Sequence, residues 1–235
     1  MRPIDKGDSP QVFTNYQDAK QPLTNRLGTY CSFCERRIPT NLAVEHILPK
    51  DESLPYAHLR NEWTNFLLSC VNCNSAKGTK IIDFATYLLP DRDNTFPFFE
   101  YDELGEVKAN GNRAQKRMAK NTLDLVALNK LKHTDWDETT MFAAITRLEQ
   151  RVEAWKSAKI VRINYLNGGV NLEVLKILVA SMGFFSIWMK AFEGIEDARK
   201  AFIEAFENTA SDCFDANTNS VSPRPANTLQ NSGKT

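Results

Sequence analysis

The stretch that decides the fold is residues 30–80, YCSFCERRIPTNLAVEHILPKDESLPYAHLRNEWTNFLLSCVNCNSAKGTK. It contains four of the five cysteines of the chain, arranged as two C-x2-C pairs: Cys31 with Cys34, and Cys70 with Cys73. Two such pairs supply four thiolates, which is the usual ligand set of a tetrahedral zinc ion with no open position. The pattern therefore predicts a structural zinc rather than a catalytic one.

Disulfide bonds are the alternative use of these cysteines. The first ten residues, MRPIDKGDSP, lack the apolar run of a secretory signal, so we expect a cytoplasmic protein with reduced thiols. In such a chain, C-x2-C pairs more often bind a metal than form disulfides. Cys213 lies outside the pattern and is predicted to be a free thiol.

Further residues of this stretch resemble a known family. The order Glu-His-Ile-x-Pro, followed by Asn-Phe-Leu-Leu-x-Cys-x2-Cys-Asn-x2-Lys, resembles the HNH endonucleases. The resemblance implies a ββα-metal core, in which a β-hairpin and a helix surround one divalent metal. It implies that His46 is the general base that activates water and that Asn65 orients the loop of that base. It also implies that Asn74 and Glu45 are metal ligands.

The third family position is Asn74 where the family name expects histidine, and Glu45 stands where aspartate is more usual. An amide oxygen suits Mg²⁺ or Mn²⁺ better than zinc, so we expect one of these ions at the catalytic site. A neutral imidazole can accept a proton from water at neutral pH, while the metal stabilises charge on the phosphate. Lys77 lies one helical turn beyond Asn74 and is predicted to contact a substrate phosphate, as is Lys80.

A narrower resemblance concerns the N-terminal region. The phrase MRPIDKG, a short helix and LGTYCSFCERR resemble the HNH subgroup that includes the PtuB nuclease of Septu anti-phage systems and of retrons. This implies an effector nuclease that works with an ABC-type ATPase. In retron versions it implies a reverse transcriptase and its RNA–DNA product as further partners. A zinc-ribbon module that binds nucleic acid without cutting it, and an RNase of the same fold, are the alternatives.

The chain has 235 residues, of which 42% are hydrophobic, enough for a sizeable core. Its pattern of elements predicts an α+β fold. RIPTNLAVEHILPK is predicted to supply the hairpin strands of the core, with the helix starting near Asn74. Acidic residues dominate 91–107, which is predicted to be a β-hairpin that borders the site or faces a protein partner. The predicted regions are an N-terminal arm and short helix (1–27), a zinc-anchored HNH nuclease core (28–88), an acidic hairpin (89–112), a helical domain (113–210) and a disordered tail (211–235).

Because the net charge is zero, affinity for nucleic acid has to come from local patches. Residues 108–133 carry seven lysines and arginines and one acidic residue. Helical spacing places four of them on one face: Arg113, Lys116, Arg117 and Lys120. This face is either an ordinary solvated surface or a track for phosphates, and both readings stay open.

The helical region contains a long uncharged stretch from Ile177 to Met189. Its 13 residues are too few to span a bilayer, so no membrane association is predicted. The stretch is predicted to be either the central buried helix of this half or an interface for another protein.

Overall fold

The computed structural model describes residues 1–129 and 138–235, except for the side chains of Thr139 and Thr140. Lys130 and Lys132, which belong to the predicted basic segment, lie outside the described residues. The described ranges contain seven α-helices: α1 (Lys20–Leu27), α2 (Val71–Lys77), α3 (Arg113–Leu125), α4 (Glu138–Leu166), α5 (Leu172–Met182), α6 (Phe185–Ala191) and α7 (Glu196–Ala205). They also contain four short strands: β1 (Ala43–His46), β2 (Phe66–Ser69), β3 (Phe99–Tyr101) and β4 (Val107–Ala109).

Residues 28–88 are organised around the antiparallel pair β1 and β2. His46 at the end of β1 pairs with Phe66 at the start of β2, and α2 follows β2 after Cys70. The sequence prediction that both strands come from residues 37–50 is wrong, because the second strand is the apolar run FLLS. All four residues of β2 are buried, so the strand reads as a continuous apolar segment rather than an alternating one.

A β-hairpin is present in the segment where residues 91–107 predict one, but two acidic residues of that segment are buried. β3 and β4 pair antiparallel, and Gly105 lies in the turn between them with a positive φ of 79°. Asp91 and Asp93, two of the six acidic residues of this segment, are 2% and 0% exposed. Both are neutralised by buried or half-buried lysine and arginine side chains.

One of these neutralised acids, Asp91, accepts from Lys6 Nζ at 2.9 Å and from Arg92 Nη1 at 2.6 Å. Burial raises the pKa of Asp91, but the two cations outweigh burial and lower it to about 2. A depressed carboxyl pKa contributes stability above the unfolded value of about 3.9, and that contribution is lost as the pH falls toward 2.

We therefore expect Asp91→Asn to lower the free energy of unfolding by about 3 kcal/mol at pH 7, because it leaves two buried cations without their anion. The difference in the free energy of unfolding between Asp91→Asn and the wild type should decrease as the pH falls from 4 to 2. Urea denaturation at a series of pH values measures both effects. Asp124→Asn, which removes an exposed ion pair with Lys120, is the matched control and should cost less than about 1 kcal/mol. Wild-type stability of Asp91→Asn at neutral pH would contradict this account.

The long uncharged stretch of the helical half is not one helix. Gly183 has a φ of 78°, and a Cβ there would lie 2.8 Å from the backbone nitrogen of Arg37 and from the backbone oxygen of Glu35. Phe184 follows in the left-handed region, so α5 ends and α6 begins at this point. Ile187 and its neighbours on α6 are buried, whereas Ile177 on α5 is 72% exposed. The buried-helix prediction therefore holds for α6 only.

The break between α5 and α6 is also where the cysteine loop meets the helical half. Phe184 N donates to the carbonyl oxygen of Glu35, and the Glu35 carboxylate accepts from the backbone N–H of Ser186 and from its hydroxyl. Glu35 thus satisfies a donor at the start of α6, as an N-capping acid does. The first C-x2-C loop is held directly on the core of the helical half.

Residues 211–235 are packed, in contrast to the predicted disordered tail. The Arg224 guanidinium donates to the carbonyl oxygens of Pro90 and Ile4, each at 3.0 Å. Lys234 Nζ lies 2.9 Å from Asp93, and Asn219 is 5% exposed. A polar composition predicts disorder because it lacks apolar area, but these side chains are instead held by hydrogen bonds to the rest of the chain. In the described ranges, no helix is long and apolar enough to cross a membrane.

Candidate functional site

The four cysteines of the two pairs meet in the interior. Their sulfur atoms all lie within 4.8 Å of one another, and Cys34 Sγ is 3.7 Å from Cys70 Sγ. Two sulfurs bound tetrahedrally to one zinc, at about 2.3 Å each, are separated by about 3.8 Å. The cluster therefore fits a zinc ion with four thiolate ligands, and the predicted convergence of these cysteines is confirmed. Cys213 is buried elsewhere in the core.

Arg36 supplies positive charge next to this cluster. Its guanidinium donates to Asn72 Oδ1 at 2.9 Å and to Gln150 Oε1 at 3.0 Å, which ties the first cysteine loop to α2 and α4. Burial lowers the pKa of Arg36, but the Cys34 and Cys70 sulfurs outweigh burial and raise it above its usual value. A fixed cation of this kind compensates the negative charge of four thiolates.

His46 is the last residue of β1 and is 6% exposed. Its ring packs edge-on against Tyr16 and Phe66, with centroid distances of 4.8 and 5.2 Å. Nε2 lies 2.8 Å from the carbonyl oxygen of Arg60. Because a carbonyl oxygen only accepts, Nε2 carries the hydrogen and Nδ1 holds the lone pair that can take a proton.

The electrostatic surroundings keep His46 neutral. Burial is the largest cause, and the charges of Lys50, Lys77 and Arg60 add to it, so that the pKa falls to about 4. At pH 7 the imidazole is therefore in the form that can act as a base.

Asn65 fixes the segment that follows His46. Its Oδ1 accepts from the backbone N–H of Leu48 at 2.8 Å, and its Nδ2 donates to the carbonyl oxygen of Leu48 at 3.0 Å. Nδ2 also lies 3.3 Å from the carbonyl oxygen of Leu59, and the Asn65 backbone oxygen accepts from Ile47 N. One buried side-chain amide thus joins both ends of the 47–65 loop, directly after His46.

Glu45 and Lys77 form a buried ion pair. Glu45 Oε1 lies 3.1 Å from Lys77 Nζ, and the two side chains are 2% and 1% exposed. Burial raises the pKa of Glu45 to about 7, although Lys77 opposes this rise. The phosphate contact predicted for Lys77 is not what the structure shows, because its ammonium group faces β1 in the interior. Glu45 Oε2 is buried without a hydrogen-bond partner among the described residues, so one carboxylate oxygen is left for a cation.

Asn74 lies on α2, between the ligand Cys73 and the ion-paired Lys77, and it is half-buried. α2 packs against β1, so that β1 carries His46 and Glu45 while α2 carries Asn74 and Lys77. A carboxylate oxygen and an amide oxygen are hard donors, the chemical type that magnesium and manganese prefer.

The predicted nucleic-acid-binding residues divide between two elements. Arg113, Lys116, Arg117 and Lys120 are all exposed on α3. Lys80 follows α2, and its Nζ donates to the carbonyl oxygen of Ala76 and lies 3.4 Å from that of Leu125 at the end of α3. Lys80 therefore joins the ends of the two helices. In the N-terminal arm, Arg2 and Lys6 are buried structural residues.

Sequence reasoning missed three residues around His46: Tyr16, Lys50 and Arg60. Tyr16 was assigned only to the short helix, and the other two lie in a loop without periodicity. The one sequence feature that could have indicated them is Lys50, a cation only four residues after the predicted base His46.

Comparisons with known proteins point to the same segment of the chain. The family model described as HNH endonuclease matches residues 30–80. A Vibrio cholerae serotype O1 biovar El Tor protein named "Retron Vc95 putative HNH endonuclease" is 28% identical over an alignment of 126 residues, and the match covers 49% of this chain and 62% of that protein. The Septu protein PtuB of Bacillus thuringiensis is 33% identical over an alignment of 118 residues, and the match covers 48% of this chain and 41% of PtuB.

The chain thus spans less than two thirds of the length of each of these relatives. The family match, in contrast, falls on the segment that contains both cysteine pairs, the His46 strand and α2. Residues 30–80 are therefore similar to the HNH endonuclease family.

Proposed function

We propose that this protein is a metal-dependent endonuclease that hydrolyses phosphodiester bonds of nucleic acid, with His46 as the general base. The observation that carries the proposal is the state of His46. It is held neutral, its Nε2–H is committed to the Arg60 carbonyl, and Nδ1 is left to accept a proton. A binding module has no need of a histidine oriented in this way.

The residues of the site divide the work between them. His46 Nδ1 takes the proton of the attacking water, and Asn65 fixes the loop that aims the imidazole. Glu45, through its unpartnered oxygen, and Asn74 would hold a magnesium or manganese ion. When bound, that ion supplies positive charge for the phosphate and the leaving oxygen. Lys77 holds Glu45 in place through their ion pair. The cluster of four cysteines and its zinc hold the first cysteine loop and α2 together.

The exposed face of α3 is proposed to bind the nucleic-acid backbone. Arg113, Lys116 and Arg117 are exposed cations, and Lys80 joins the end of α2 to the end of α3. Phosphate contacts of this kind give affinity without sequence preference. The substrate is proposed to be DNA, with RNA as the alternative that the assay below distinguishes.

The named relatives suggest a biological setting. We propose that the chain is the effector nuclease of an anti-phage defence system of the Septu or retron type, in the cytoplasm, together with an ABC-type ATPase. A retron version would add a reverse transcriptase and its RNA–DNA product. The exposed part of α5 around Ile177 and the β3–β4 turn are the candidate docking surfaces. Ile187 is not one, because it is fully buried.

Cleavage of plasmid, single-stranded DNA and total RNA, with Mg²⁺ or Mn²⁺ and with or without the ATPase, tests the proposal. We expect His46→Ala to reduce the cleavage rate by about 10²- to 10⁴-fold, because the reaction loses its general base. His58→Ala is the matched control, since His58 is an exposed histidine of the 47–65 loop and should leave the rate unchanged. Equal cleavage by wild type and His46→Ala would contradict the proposed base. No cleavage under any condition would favour the binding module.

A further inference from the structure

A cationic cluster lies next to His46 that no residue motif or comparison assigns. Lys50 Nζ lies 3.6 Å from the centre of the Tyr16 ring, and the Arg60 guanidinium carbon lies 5.9 Å from the same centre. The Tyr16 ring contacts the His46 ring, with a centroid distance of 4.8 Å. The backbone of Arg60 accepts the His46 hydrogen bond. One aromatic ring thus brings two cations beside the proposed base.

Both cations can reach a ligand in solvent. Lys50 is half-buried on the tyrosine face, a cation–π contact that reduces its freedom without neutralising its charge. Arg60 is 45% exposed and pairs at 3.0 Å with Glu52, which is itself 84% exposed. An exposed ion pair of this kind contributes about 0–1 kcal/mol, so a phosphate can replace Glu52 at little cost.

The other nearby charges do not cancel this pair of cations. Asp51 uses Oδ1 to accept from the backbone N–H and the hydroxyl of Ser53, within its own turn. Glu45 is already paired with Lys77 in the interior.

We propose that Lys50 and Arg60, arranged around Tyr16, bind a backbone phosphate of the nucleic acid beside the bond that is cut. The proposal rests on the proposed nuclease function. It adds to that function a second set of cations, distinct from those of α3, that hold the substrate in position. Because a guanidinium binds phosphate in a bidentate manner and an ammonium acts as a point charge, the two together fix the position of one phosphate group. The strand would thereby be held close to His46.

The binding arm of the test uses Lys50→Met and Arg60→Met in a His46→Ala background, so that cleavage does not interfere. Fluorescence anisotropy with labelled single-stranded DNA, duplex DNA and RNA is measured over a range of salt concentrations. Each substitution should reduce the slope of log affinity against log salt by about 0.7 to 0.9, which corresponds to one phosphate contact. Lys190→Met is the control, because Lys190 is an exposed cation of α6 that pairs with Glu193.

The cleavage arm uses the same substitutions with His46 intact. We expect KM to rise several-fold while kcat stays within twofold, the result of losing a contact made equally in the ground state and in the transition state. If the wild type cuts and the two variants keep its salt slope and KM, the phosphate site is refuted while the nuclease function stands. If nothing is cut but the salt slopes fall, the function is refuted and the phosphate site stands. The nucleic acid whose binding weakens most identifies the backbone that is bound.

Discussion

Replacing Cys70 with serine is expected to unfold the region that carries the candidate active site. Cys70 joins β2 to α2, and the sulfur it contributes lies 3.7 Å from that of Cys34. The binding free energy of a structural zinc with thiolate ligands, about 10–16 kcal/mol, is largely folding free energy. This zinc-binding free energy is of the same size as the total stability of a typical domain, about 5–15 kcal/mol. Loss of one ligand should therefore release both the first cysteine loop and α2.

Zinc content measured by elemental analysis, together with thermal unfolding followed by circular dichroism, checks this expectation. The wild type should contain about one zinc per chain and lose its cooperative transition on treatment with a strong chelator. Cys213→Ala is the matched control, because Cys213 is a buried cysteine outside the cluster, and it should retain its zinc. A Cys70→Ser protein with wild-type zinc content and melting behaviour would contradict the assignment.

The second large effect is expected at the pair formed by Glu45 and Lys77. Among the described residues, Lys77→Met removes the only basic group within 4 Å of the buried Glu45 carboxylate. Breaking a buried pair by removing one partner costs about 3–5 kcal/mol, because the remaining charge is left uncompensated. Without Lys77, the folded state favours the protonated form of the Glu45 carboxyl group. Its folded pKa rises further above the unfolded value, so the loss is greatest at alkaline pH and shrinks as the pH falls.

A double-mutant cycle separates this pair from ordinary packing. Glu45→Gln combined with Lys77→Met should recover a large part of the stability lost by Lys77→Met alone, as measured by urea denaturation. Lys159→Met is the matched control, since its pair with Glu103 at 2.6 Å is exposed and should contribute less than about 1 kcal/mol. Equal urea midpoints for the wild type and Lys77→Met would overturn this interpretation.

The parts of the fold that the sequence predicts are those set by local chemistry. The cysteine cluster follows from spacing, because each C-x2-C loop places two sulfurs side by side whatever surrounds it. The short helix predicted within residues 1–27 is present as a 3₁₀ turn followed by α1, which ends before Gly28 with its φ of 73°. The β3–β4 hairpin follows from alternation around a turn that contains Gly105.

The parts that the sequence does not predict depend on partners distant in the chain. β1 pairs across the whole 47–65 loop, so the identity of its partner is not a local property. Lys77 points inward because Glu45 lies opposite it, and a charge on a short helix gives no sign of this when read alone. Residues 211–235 are ordered by hydrogen bonds to residues 4, 90 and 93, which composition cannot reveal.

The joining of residues early and late in the chain has a kinetic consequence. Arg224 reaches Ile4 across 220 residues, and Asn94 donates to the carbonyl oxygens of Cys213 and Ser222. Closing such long loops costs entropy before the contacts can form, and proteins dominated by distant contacts fold slowly. During synthesis, the segment 90–94 emerges long before the residues that cover it. We therefore expect residues 4 and 90–94 to gain their final packing only after residue 224 has left the ribosome, so that a partly made chain is not yet fully folded.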